Sequence, residues 1–292
     1  MKTLQTIILG SAAVLLIAAA ALYGTAYWRM HRVYDFPADN IEIPADAISV
    51  AEGKRLYSAR QCIDCHMSGF EGKITGESFL IGRLVVPNLT GGAGSRRPTA
   101  AEIVRAVRHG VGEDGRPLAF MPSNEYAHLS DDELAKIISY INTLPAVDKE
   151  LPGTELGPGP ILLVALGLPG ALPVERINHA INPSKVVKAE PTEEFGRYLS
   201  RGCHHCHGVD LGGQKMMGEA PGTPRAPNIT FDRKYGIGKW SKEEFFRAMR
   251  QGVRPDGRVL DRTMPWPSFS QMTDVELDAL WLYLQSFPPV EQ

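Results

Sequence analysis

The chain is written twice. Glu102 to Val147 reads EIVRAVRHGVGEDGRPLAFMPSNEYAHLSDDELAKIISYINTLPAV, and Glu244 to Val290 reads EFFRAMRQGVRPDGRVLDRTMPWPSFSQMTDVELDALWLYLQSFPPV, with one extra residue in the second copy. Upstream, PNLT at Pro87–Thr90 answers PNIT at Pro227–Thr230. Duplication on this scale implies two copies of one domain, and 292 residues are enough to build both. Each copy reads as helical. Thr99 with Glu102, Ser130 with Glu133, Ser241 with Glu244 and Thr273 with Glu276 have the capping-box spacing, a hydroxyl at the helix start and a glutamate reaching back. Apolar residues follow at helical intervals, Leu134, Ile137, Ile138 and Ile141 in one copy and Leu277, Leu280 and Leu284 in the other. Pro145 and Pro288 stand where these last helices must stop. No segment reads as an alternating strand, so the expected class is all-α.

Cysteine is used sparingly and in one way only. The four residues of this type all lie in QCIDCHMSG (Gln61–Gly69) and GCHHCHGVD (Gly202–Asp210), one motif per copy. A redox dithiol belongs on a strand–helix unit, which the sequence does not offer. A zinc site would have to borrow its second ligand pair from the far copy. The remaining reading uses the histidine that follows each second cysteine. Cys-x-x-Cys-His is the c-type haem attachment signature, in which two thioethers fix the porphyrin and the next residue aims its imidazole at the iron.

The N-terminal stretch Thr6 to Trp28 holds no charge and is about long enough to cross a bilayer. Two readings fit, a cleaved signal peptide ending near Ala18–Ala21 or an uncleaved anchor. Length and the interfacial Tyr23, Tyr27 and Trp28 favour the anchor. More basic residues follow the span than precede it, which argues for a cytoplasmic body, whereas haem attachment requires the opposite side. The net charge of −2 offers nothing to nucleic acid. Between the copies, a Pro- and Gly-rich stretch cannot form one long helix, and its apolar run Ile161–Leu168 is too short to span a membrane. It reads as a linker packed on both domains, or as a membrane- or partner-facing patch.

With these motifs and this tandem arrangement, the chain resembles a membrane-anchored dihaem cytochrome c, from about Ala51 to Val147 and from Thr192 to Val290. The resemblance implies an N-terminal transmembrane helix (residues 1–34), a class I cytochrome c domain (35–150), a linker (151–190) and a second such domain (191–292). It further implies that Cys62, Cys65, Cys203 and Cys206 bind two haem c groups, with His66 and His207 as proximal iron ligands. Attachment outside the cytoplasm would place both domains on the periplasmic or outer face of the membrane.

For the sixth ligand, Met67, Met216, Met217 and Met30 lie too close to a motif or outside the domains. Met249 aligns with Val107 and Met272 with Leu129, which marks packing positions; His109 and His128 align with glutamines. Only Met121 and Met264 recur, each after an Asp-Gly turn and before a proline, where a class I cytochrome c carries its distal methionine. The resemblance also suggests that Pro87 and Pro227 orient the proximal imidazoles, with Asn88, Thr90, Asn228 and Thr230 near the propionates. These residues have an equal claim to plain loop structure.

His/Met ligation leaves no open iron position, which favours electron transfer over substrate chemistry. The expected role is a tethered relay between donor and acceptor proteins of a respiratory chain, from a dehydrogenase or quinol-oxidising complex to an oxidase or soluble cytochrome. The alternatives are a dihaem peroxidase or thiosulfate-oxidising enzyme, and the cytochrome subunit of an alcohol or sugar dehydrogenase. Many such subunits carry three attachment motifs, and this chain has two. Mass spectrometry of the denatured chain is expected to find two covalently held haems. Replacing Cys203 and Cys206 with alanine should leave one, on a first copy that still folds. A single haem, or a Cys62–Cys65 disulfide, contradicts this reading.

Overall fold

The computed structural model describes residues 2–37, 39–168, 171–180, 183–214 and 225–291; Met216 and Met217 lie outside them. An apolar helix, α1 (Lys2–His31), leads into the first copy. That copy holds α2 (Ala47–Ala59), α3 (Cys62–His66), the strands β1 (Lys73–Ser78) and β2 (Gly82–Val86), then α4 (Ala100–His109), α5 (Ser123–Tyr126) and α6 (Asp131–Thr143). The segment between the copies supplies a short strand β3 (Glu155–Leu156), helix α7 (Pro158–Leu166) and a 3-10 turn at Pro173–Glu175. The second copy is α8 (Glu193–His207), α9 (Lys242–Gln251), α10 (Trp266–Phe269) and α11 (Asp274–Ser286).

Each copy is built on two helices that cross where one of them has no side chain. A Cβ on Gly53 of α2 would overlap the Lys136 carbonyl of α6, and a Cβ on Gly196 of α8 would overlap the Ala279 carbonyl of α11. Around the first crossing Leu56, Tyr57, Ile103, Leu134, Ile138 and Ile141 form one core. Around the second, Phe195, Leu199, Phe245, Leu277, Leu280 and Trp281 form another. The copies differ in one respect that matters later. Two more residues separate the crossing glycine from the first cysteine in copy one. The helix therefore breaks at Gln61 (φ 64) into α2 and α3, whereas α8 runs unbroken through its cysteines.

The class is mainly helical, as expected, but a three-stranded antiparallel sheet β1–β2–β3 was not legible. KITGES and GRLVV lack clean alternation, since both strands stay half-exposed and a bulge at Ile74–Gly76 breaks the register. Three of the four capping boxes form at Thr99, Ser241 and Thr273. The fourth is only half made. Ser130 Oγ accepts from the Glu133 amide, yet the Ser130 amide donates to Tyr198 Oη of the second copy, 3.0 Å away, and Glu133 turns to other partners.

The stretch 151–190 does more than join domains. β3 completes the sheet of the first copy, with Gly82 opposite Leu156. α7 packs along the C-terminal end of α1, burying Val164 with Ala26. Arg29 of α1 donates to the Val164 carbonyl at 2.8 Å and pairs with Glu175. At the α8–α11 crossing, Gly196→Val is expected to cost about 1–3 kcal/mol or more, because overpacking a closed contact forces the helices apart. Denaturant titration should show the second domain losing its cooperative transition earlier; an unchanged midpoint would mean the crossing is loose.

Candidate functional site

Both attachment motifs lie on helices, so that in each the second cysteine is followed at once by its histidine. No disulfide joins the four cysteines. Before attachment, burial pushes the Cys62 and Cys203 thiols up to about 12. The imidazoles are held neutral. Burial lowers His66 to about 4, and lowers His207 as well, against an opposing hydrogen bond from the backbone.

The chain folds back under each imidazole in the same way. Gly72 and Gly213, both at positive φ, bring the chain against the Pro87 and Pro227 peptides so closely that a Cβ would overlap backbone. Their amides return to the His66 and His207 carbonyls, at 3.3 and 2.8 Å. In the second copy His207 Nδ1 meets the Pro227 carbonyl at 2.7 Å. That contact makes Nδ1 the protonated nitrogen and leaves Nε2 with a lone pair. In the first copy His66 Nδ1 is buried without a hydrogen-bond partner among the described residues, and the Pro87 carbonyl is not brought to it. A neutral, buried imidazole beside two thiols, once tautomer-fixed and once orphaned, is the donor set that covalent haem requires.

The two Pro-Asn-x-Thr segments act as clasps. Asn88 Oδ1 accepts from the amide and hydroxyl of Thr90, and its Nδ2 donates to the Val147 and Lys149 carbonyls. Asn228 repeats this with Thr230 and the Val290 carbonyl. These side chains thereby tie the segment after each last helix to the loop beneath each histidine, and in the Asn88 side chain both amide hydrogens and the carbonyl oxygen are taken up.

Both methionines lie between a β-bridged Asp-Gly turn and a one-turn helix, α5 or α10. Met264 packs on the second core together with Cys203. Met121 is half-buried between Phe120, at φ 66, and Pro122. Sequence reasoning passed over Tyr126, whose hydroxyl burial and the neighbouring Cys62 and Cys65 push well above its ordinary value. It also passed over Tyr57 and Tyr140, which donate to the Met67 and Ser68 carbonyls just past His66. The repeat signalled two of these, Tyr126 aligning with Phe269 and Tyr140 with Tyr283.

The motifs face each other across the domain boundary. Asp64, inside the first motif, accepts from Ser268 Oγ at 2.9 and 3.0 Å. His205, inside the second, lies 3.7 Å from Glu125, which draws its pKa up. Each motif thus touches the segment just beyond the other copy's methionine. Behind them Arg60 meets Glu133 at 2.6 Å and Glu276 at 2.9 Å, Arg55 meets Glu276 at 2.6 Å, and Tyr198 donates to Glu133 at 2.6 Å.

Residues 50–145 match the cytochrome c family, and residues 191–284 match the family described as cytochrome c oxidase, cbb3-type, subunit III. Both copies are cytochrome c domains. A diheme cytochrome c-type protein of Cereibacter sphaeroides is 27% identical across 97% of this chain and 98% of its own length. The fructose dehydrogenase cytochrome subunit of Gluconobacter japonicus is 27% identical over 86% of this chain. The cytochrome c subunit of the quinone-dependent alcohol dehydrogenase of Gluconacetobacter polyoxogenes is 42% identical over 33% of it. The chain spans 55% of the length of the fructose dehydrogenase subunit and 22% of that of the alcohol dehydrogenase subunit. It belongs to the dihaem c-type cytochromes and carries two covalently bound haem c groups.

With His207 as iron ligand, the Pro227 contact would act on the second haem. A hydrogen bond from Nδ1 makes the imidazole a stronger donor to iron, which favours the ferric state. Gly213→Ala would push its Cβ into the Ala226–Asn228 backbone and part that contact. Redox titration is expected to show the potential of the second haem rising while the first stays put. Equal shifts in both would remove the assignment.

Proposed function

We propose that the chain is a two-haem electron relay tethered to the cytoplasmic membrane, with its domains (residues 35–150 and 191–292) on the periplasmic face. Cys62 and Cys65 hold the first haem and Cys203 and Cys206 the second; His66 and His207 are the proximal ligands, Met121 and Met264 the distal ones. Haem so ligated supplies a one-electron couple of raised potential with no vacant coordination position. The protein's part is to hold each imidazole neutral, to bury it, and to fix the two attachment helices against one another. The observation that carries this reading is the reciprocal contact of the motifs, Asp64 with Ser268 and His205 with Glu125. Two sites so joined suit passage of an electron through the chain better than two independent reactions.

α1 is long and apolar enough to cross a membrane, and the same stretch near an N-terminus also suits a signal sequence. Its unbroken run to His31 and the exposed Tyr23, Tyr27 and Trp28 at one end support the anchor. Donor and acceptor are proteins of a respiratory chain. The relatives named as cytochrome subunits of dehydrogenases support a donor of that kind, and with it the reading of this chain as such a subunit.

The distal ligands decide between relay and enzyme. Both reduced haems are expected to be low-spin and to bind carbon monoxide poorly. Met264→Ala should open the second iron alone, with carbon monoxide difference spectra showing one reactive haem and a lowered potential for it. Rapid carbon monoxide binding or fast peroxide turnover by the unaltered protein would transfer the case to an enzyme.

A further inference from the structure

α7 and the β1–β2 hairpin form an apolar face that neither haem site uses. α7 buries Pro160 and Val164, the latter against Ala26 of α1, and leaves Leu162 and Leu166 exposed. Gly159, Leu162 and Leu166 follow one another along one helix face. At its first turn the hairpin tip joins that face. The Gly157 amide donates to the Ile81 carbonyl at 2.9 Å and the Gly159 amide to Leu80 at 3.0 Å. A Cβ on Gly159 would stand 3.5 Å from Leu80 Cδ1, so the Leu80 side chain continues the stripe. Phe79 beside it is 92% exposed and Leu80 61%.

Scattered exposed leucines mean little, but a contiguous stripe ending in an uncovered phenylalanine marks a contact surface. What covers it follows from where it lies. The far end of α7 is held at Arg29, in the last turn of α1, and nine residues of helix reach only about 14 Å. The helical part of the stripe therefore lies within that distance of Arg29, which follows Tyr27 and Trp28 in the last turn of α1. Charges flank the tip one step in: Arg83, opposite Glu77, pairs with Glu155 at 2.8 Å. α7 is too short to span a bilayer core of about 30 Å and too apolar for water. Beside a helix long and apolar enough to cross a bilayer, an apolar helix lying at headgroup depth fits this arrangement.

We propose that this face is a second membrane contact: Phe79, Leu80, Leu162 and Leu166 rest in the boundary between lipid headgroups and acyl chains beside α1. The contact fixes how the first domain stands on the membrane, which a lone helix and flexible connection would leave free. The inference rests on the anchor reading of α1, and its test separates the two.

Full-length protein carrying a single spin label, at Phe79→Cys or Leu162→Cys, would be reconstituted in phosphatidylethanolamine–phosphatidylglycerol vesicles. The native cysteines are consumed by haem and do not label. Labels at Val14→Cys in α1 and at exposed Val209→Cys in the second domain serve as lipid and water references. Each variant is first checked for two haems. Collision with oxygen should exceed collision with an aqueous nickel chelate at 79 and 162, as at 14, and the order should reverse at 209. Nickel access at 79 and 162 with position 14 in lipid overturns the second contact and leaves the anchor standing. Nickel access at 14 overturns the anchor and this inference with it. Exclusion of both reagents at 79 means that protein covers the face, which also overturns it.

Discussion

The relative placement of the two haem domains depends on one buried ion cluster. Glu133 and Glu276 occupy the same place in their copies, three residues into α6 and α11. Both point into the domain boundary, where Arg60 bridges them. Burial alone would lower the Arg60 pKa and raise that of Glu276; the mutual attraction outweighs it, so Arg60 is raised and Glu276 lowered. A buried ion pair returns little net stability once desolvation is counted, but leaving one partner alone costs about 3–5 kcal/mol. Its effect is therefore geometric. Any slide of one domain past the other strands a charge, so a single registry is enforced.

The cluster is also where the duplication shows itself most directly. Arg55 and Tyr198 stand at the same step after their crossing glycines, and each reaches the capping glutamate of the opposite copy, Glu276 or Glu133. The two halves thus grip each other by a two-fold exchange. Arg60 stands two residues before its first cysteine, as Arg201 does in the second copy, but it caps α2 where the helix breaks, and from there it reaches both glutamates. Tyr198 takes over the donor that Ser130 would have offered to Glu133, which freed Glu133 for Arg60.

Much of this fold could be read from the residues, for identifiable reasons. Helix caps and helical spacing are local, and repetition doubled every local signal: Thr99, Ser241 and Thr273 cap where their spacing says. The fourth box failed because its glutamate has a tertiary partner, which no local pattern encodes. The sheet escaped because a half-exposed, bulged hairpin has no alternation to detect, and β3 because two residues carry no period at all. In the sites, the cysteines and histidines announced themselves by motif. The clasp made by Asn88 and Asn228 did not, since its partners, Val147 and Val290, lie about sixty residues downstream and contribute only backbone atoms.

The segment between the copies changes what the chain order means. Its strand joins the sheet of the first copy and its helix lies on α1, so it ties α1 to the first domain. The second domain is held instead by the ion cluster and by the motif contacts of the first. Each domain therefore has a different neighbour to lean on, α1 for one and sister domain for the other. The two histidine environments differ in step with this, His66 with an unpartnered Nδ1 and His207 bonded to Pro227. Since that bond favours ferric iron, equal haems in these frames acquire unequal potentials, with the second the lower on this account alone. Proximal bonding by itself would then draw electrons from the second domain toward the first. With the proposed distal ligands, Met264 packed on the core and Met121 half-buried, a relay running the other way needs the distal side to reverse that order.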